Sequence, residues 1–235
     1  PRMGAMAQRA VAENWIDAEP RPGKVGGAYC MWVGGPNSRI LQNFSEGFEG
    51  LSTLAHELGH AYHNVTQADL PQLLRSTPMC LAETASTFCE TIIKESALGG
   101  ANPSEQIYIL EQSLQGSGQI VVDIISRFDF EKAVCERRPT RELTAAEFCD
   151  LMLEAQEGTY GDGLDPEARH PYMWAVKGHY YRPGQSFYNF PYLFGLLFGL
   201  GLFAEARRDP AGFPARYDAL LRDTGNATAS DLAER

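Results

Sequence analysis

Two imidazoles and a carboxylate fall within one short stretch, Thr53-Leu54-Ala55-His56-Glu57-Leu58-Gly59-His60-Ala61. Four residues of helix turn through about 400°, so His56 and His60 stand one turn apart on one face. Rings placed this way can share one ion, at the roughly 2.0–2.1 Å that zinc takes with imidazole nitrogen. Glu57 sits beside the first ring, where a carboxylate approaches a metal-bound water rather than the metal. The segment around them is apolar, and a buried His or Glu with no partner is costly. These residues therefore predict a metal site, against the plainer reading of a mutually satisfied pair of core histidines.

A catalytic site of this kind needs a third protein donor and an open fourth position. Thr66 occupies the place six residues past His60, which excludes the metzincin extension. His63 shares the face, but it stands about 10 Å along the axis from His56, too far for one ion. It reads as a residue behind the ligands, or as a core or surface histidine. Cys80 stays open, since zinc accepts thiolate. Glu83 is the strongest candidate, because Ala82, Ala85 and Ser86 let its helix pack closely against the first. Glu90 follows on the same helix face and suits a partner to a ligand histidine, or an ordinary solvated charge.

These donors require two packed helices, and the periodicity supplies them. Leu51, Leu54, Ala55, Leu58 and Ala61 mark a helix to about Asn64, and a second runs from Met79 to about Ala97. Upstream, a helix is expected over 4–18. Gly27–Val33 and Arg39–Phe44, around Gly34-Gly35-Pro36-Asn37, read as a β-hairpin. Ser104 to about Glu136 is helical in pattern with Gly116-Ser117-Gly118 as a break. Thr144-x-x-Glu147 is a capping box opening a helix to about Glu157. Residues 159–184 are Gly-, Pro- and Tyr-rich and irregular. Phe190–Ala206 is apolar nearly all round, and a further helix lies near Ala211–Arg222. The expected fold class is mainly α: a zincin-like helical catalytic domain with a small hairpin or edge sheet beside the active-site helix. It is read as a single domain over 1–235.

Composition narrows the function. The 235 residues carry 20 Lys and Arg against 30 Asp and Glu, a net charge of −10. Such a chain repels a polyanion, so no nucleic-acid partner is expected. The apolar run Phe187–Ala204 contains G-x-x-x-G at Gly195 and Gly199, but Asn189 and Pro191 interrupt it. A buried core helix is the expectation, and no membrane. Five scattered cysteines without C-x-x-C fit reduced thiols. With no basic-then-apolar leader at Pro1–Met6, a cytoplasmic location is expected. The lack of Met at position 1 reads as a fragment or processed product.

His56-Glu57-Leu58-Gly59-His60-Ala61-Tyr62-His63, followed by Ala82-Glu83-Thr84-Ala85-Ser86, resembles the oligoendopeptidase F branch of the thimet-oligopeptidase family of zinc peptidases. Trp15–Lys24 upstream, and Lys177–Tyr181 with Ser186–Tyr192 downstream, resemble it too, so the likeness covers nearly the whole chain. The resemblance implies one zinc ion on His56, His60 and Glu83, with Glu57 as general base. It implies that His179 and Tyr188, with Tyr192, face the bound peptide and stabilise its oxyanion. Short oligopeptides would be the substrates, cut at internal bonds. Family members are much longer, with a helical N-terminal part, so the chain reads as the catalytic core, apparently truncated at both ends. Apolar surface left by the missing part would favour self-association. Strand Ile40–Phe44 is expected to pair with an extended peptide, or to be purely structural. Two other readings compete: a different gluzincin, such as an aminopeptidase, and an inert fragment that binds zinc or peptide without turnover.

Overall fold

The computed structural model describes residues 2–234. They form two compact units, Pro1–Ser113 with Phe194–Arg235, and Leu114–Leu193.

The first unit opens with α1 (Arg2–Ala12), β1 (Ile16–Asp17), β2 (Ala28–Gly34) and β3 (Asn37–Gln42). The expected 4–18 helix stops at Ala12. Asn14 takes a φ of 55°, the Trp15 N–H donates back to Ala10 O at 2.9 Å, and Ile16–Asp17 join the sheet instead. A pairing partner distant in sequence overrides the local helical spacing. The strand order is β1-β3-β2, with β1 parallel and β2 antiparallel to β3. The hairpin turn is glycine-dependent, since Gly34 and Gly35 take φ of 116° and 52°. Ile40 and Leu41 are flanked on both sides, so the strand expected to receive a peptide has no free edge there; the edges belong to the two-residue β1 and the longer β2. Lys24 stitches the junction from within. Its buried ammonium donates to Gln42 O (2.7 Å), Asp17 O (2.8 Å) and Asp17 Oδ1 (3.1 Å).

Both longer strands pack on α2 (Phe48–Thr66), which in turn packs on α3 (Thr84–Gly100). The second helix does not start at Met79: Met79–Leu81 form a 3₁₀ turn, and α3 begins after Glu83. Three further helices complete the unit: α7 (Phe190–Arg208, from Phe194), α8 (Phe213–Asp223) and α9 (Ala229–Ala233), with most of α4 (Pro103–Gly118). One cluster including Met6, Trp15, Ile40, Tyr62, Phe88 and Leu221 is the core. The expected core helix α7 is buried along one side only. Phe194, Phe198, Leu202 and Phe203 pack on the core, but Leu197 is 61% exposed. A helix apolar all round carries no period to say which face goes inward. By length and composition α7 could cross a membrane.

In the second unit, α4 ends at Gly118, where the glycines marked a break, but the chain stays helical. A π-helical turn over Gln119–Asp123 then leads into α5 (Ile124–Arg137). α6 (Ala145–Tyr160) starts at the expected capping box, with the Thr144 side chain accepting from the Glu147 N–H. Phe130, Leu151, Met152 and Ala155 form its core, joined by Phe148, Trp174 and Tyr180. The stretch expected to be irregular over 159–184 is short 3₁₀ turns and loop from 161, and runs on to 189.

Candidate active site

Helix α2 brings His56 and His60 onto one face. His56 Nε2 and His60 Nε2 are 3.2 Å apart. Glu83 Oε2 lies 3.1 Å from the first and 3.4 Å from the second. Three atoms about 2.0–2.1 Å from one tetrahedral ion are separated from each other by about 3.3 Å. The donor triangle therefore has the dimensions of one face of a zinc tetrahedron, and these residues fit the ion. Cys80 is not in this group.

The triangle depends on how closely the helices approach. A Cβ on Gly59 would lie 2.5 Å from Ala85 O and 2.6 Å from Ser86 Cα, so only glycine permits this contact. From the far side, a Cβ on Gly195 would lie 2.7 Å from Glu83 Cβ, and one on Gly199 would lie 2.9 Å from Thr87 Oγ1. The small-residue pair of α7 thus seats flush behind the acid. None of these three glycine contacts was legible in the motif, although the G-x-x-x-G spacing carried the signal for α7. Ser86, read from the sequence only as a small packing residue, also donates to Glu83 Oε2 at 2.9 Å and fixes the carboxylate. The break before α3 puts Glu83 at a helix N-terminus, where negative charge is favoured.

Burial opposes charge on Glu83, but His56 and His60 outweigh it and hold its carboxyl well below the usual carboxylate range. Burial likewise opposes the charged His56 ring, yet Glu83 and Glu90 outweigh it and raise it. Glu90 Oε1 hydrogen-bonds His56 Nδ1, which orients Nε2 toward the other donors. Glu57 is buried at 4% exposure, with Oε2 free of any hydrogen-bond partner. Burial pushes its carboxyl up, against the pull of His56 and His60. That environment suits a proton acceptor near neutral pH.

His63 belongs to the core. Its Nε2 meets Thr224 Oγ1 at 2.8 Å and Leu221 O at 3.0 Å, both on or next to α8.

His179, Tyr188 and Tyr192 lie together in the second unit. The His179 ring centroid is 4.1 Å from that of Tyr180 and 6.4 Å from that of Tyr188, and Tyr188 meets Tyr192 edge-on at 6.2 Å. Burial, with Arg127 and Lys177 adding, lowers His179 to about 4, so its ring is neutral at pH 7. Asn189, itself held by Arg127, lies against that ring, and sequence reasoning missed both.

The model of peptidase family M3 matches residues 3–228. An oligoendopeptidase F homologue of Lactococcus lactis is 31% identical over 189 residues, covering 79% of this chain and 31% of the relative. Oligopeptidase PepF of Bacillus subtilis is 25% identical over 234 residues, 98% of this chain and 34% of the relative. The chain thus spans about a third of the length of these relatives. The crystal structure of a proposed oligoendopeptidase F shares the fold at a TM-score of 0.81 and 21% identity, over 98% of this chain and 41% of that one.

Proposed function

The chain belongs to peptidase family M3, and on that basis we propose that it is the catalytic part of a zinc-dependent oligoendopeptidase acting on internal bonds of short peptides. The observation that supports this most is the triangle of His56, His60 and Glu83, whose edges of 3.2, 3.1 and 3.4 Å suit one tetrahedral ion.

Zinc held there would supply Lewis acidity and a water of lowered pKa. His56 and His60 would offer Nε2 as donor atoms, the first oriented by Glu90. Glu83, braced by Ser86, adds the anionic donor. Glu57 takes the proton of the attacking water on its unengaged oxygen and delivers it to the leaving amine. By family likeness, His179 and Tyr188 donate to the oxyanion that develops on the scissile carbonyl, with Tyr192 beside them. An extended peptide fits the open edge of β2 by strand addition, which satisfies its backbone whatever its side chains.

Glu57→Gln removes the base and leaves every metal donor in place. The expected result is about one zinc per chain, as in the unsubstituted protein, with cleavage of a quenched, end-blocked peptide reduced by about a hundredfold or more. Undiminished cleavage by Glu57→Gln, or no cleavage by the unsubstituted zinc-loaded chain, overturns the reading. A requirement for a free amino terminus would instead point to an aminopeptidase.

A further inference from the structure

Asp123, Arg127 and Glu131 follow one another at intervals of four along the π-turn and α5, so they share a face. That face serves the loop between Lys177 and Asn189. Arg127 Nη2 donates to Asp123, and Arg127 Nη1 donates to Asn189 Oδ1 at 2.9 Å. Glu131 Oε1 accepts the Phe187 N–H at 2.8 Å. Phe187 has a φ of 58°, a left-handed conformation unfavourable for a bulky side chain and held here by that bond. The Tyr180 hydroxyl donates to Arg127 O at 3.1 Å. The residues on each side of Tyr188 are therefore tied to α5, Phe187 by its backbone and Asn189 by its side chain.

The orientation of Asn189 follows from its neighbours. A guanidinium can only donate, so the Asn189 oxygen must face Arg127 and its Nδ2 must face the other way. Nδ2 lies 2.9 Å from His179 Nε2 and 3.1 Å from Nδ1. The two nitrogens of one imidazole point apart, so a donor this near to both lies over the ring face, where its hydrogens meet the π-cloud of the neutral ring and oppose the charge of the imidazolium. We propose that Asn189, oriented by Arg127, is a positioning residue that holds His179 as a neutral imidazole and leaves its remaining ring N–H to donate to the bound peptide. This rests on the role given to His179 above.

The charges around the ring agree. Arg127 on α5 and Lys177 in the loop both oppose a second proton, and burial opposes it more. Glu131 Oε2 is 3.9 Å from Nε2 and would favour the imidazolium, but that carboxylate is also engaged by the Phe187 N–H. Asp123 is paired with Arg127. Tyr180 and Tyr188 present uncharged rings. A neutral donor keeps its proton while the substrate oxygen gains charge, and it serves over a wide pH range.

The test follows the imidazole ¹⁵N shifts of His179 against pH in the full chain, beside pH profiles of kcat/KM. In the unsubstituted protein His179 should stay neutral down to pH 5. Asn189→Asp replaces the donor by an anionic acceptor. It should raise the His179 midpoint above roughly 6.5 and move the acid limb of kcat/KM upward with it. Asn189→Leu keeps the bulk and removes the donor. It should lower kcat about tenfold or more while KM stays within about threefold. A His179 that remains neutral at pH 5 in Asn189→Asp, or an unchanged kcat in Asn189→Leu, overturns the proposal. Should the chain cleave no peptide at all, the peptidase reading fails, while the ¹⁵N midpoint still decides whether Asn189 controls the ring.

Discussion

His63 is three residues past His60, yet α8 claims its ring through Thr224 and Leu221, and Gln67 shares the same two acceptors. Burial lowers His63 to about 4 in the folded chain, against about 6.5 when unfolded. Between those values the unfolded chain binds more protons, so stability rises with pH. The neutral ring's contribution is complete above about pH 6.5 and is lost as pH falls toward 4, by roughly 3 kcal/mol. His63→Gln has no such proton to take up. Urea unfolding from pH 8 to pH 4 should show the stability gap between the two proteins narrowing with acidity. A constant gap would show that His63 is not the group responsible. The spacing alone excluded His63 as a ligand by axial distance, but whether it was core or surface depended on α8, about 160 residues away in the chain, with no local trace.

Pairs of helices set the geometry of the donors, and glycines set how closely those pairs approach. Gly59→Ala places a methyl group on the α3 backbone at Ala85 and Ser86. Overpacking of this sort costs typically about 1–3 kcal/mol, and separating the helices also draws Glu83 from the histidines. The expected outcome is a lower denaturation midpoint together with weaker zinc binding by titration. Gly99→Ala on α3 meets nothing within 4 Å and is exposed, so it should leave zinc binding intact and stabilise slightly, by helix propensity. Weakened zinc binding in both variants would refute the argument from close approach. The helices themselves were legible because Leu51, Leu54, Ala55 and Leu58 repeat at helical spacing, and Thr144 with Glu147 announced α6 directly. Strand β1 was not legible. Two residues leave no period, and only β3 makes Ile16–Asp17 a strand. The break that puts Glu83 ahead of α3 was hidden for a related reason: Met79–Leu81 have ordinary helical composition, yet form a 3₁₀ turn with Leu81 buried.

All three metal donors belong to the first unit, and the second contributes none of them. An ion that binds only the folded form stabilises it by about 2.7 kcal/mol at a hundred times its dissociation constant. Adding zinc should therefore raise hydrogen-exchange protection more in α2 and α3 than in α5 and α6, and a chelator should reverse the gain. Equal gains in all four helices would show that the ion's influence is not local. The family resemblance was readable because its motifs are dense in chemistry: H-E-L-G-H, the A-E-T-A-S that follows, and the tyrosine-rich loop near His179. The hold of Arg127 on Asn189 was not, since it joins side chains 62 positions apart that belong to no shared pattern.

The donors and their braces are close in sequence: His56 and Glu90, the outermost of them, are only 34 positions apart on consecutive helices. Closing so short a loop costs little entropy and little time. A growing polypeptide has all of them in hand once α3 has left the ribosome, well before α7 is made. Captured metal would then act as an early staple on the helical pair, and the later helices would be added to a centre already assembled.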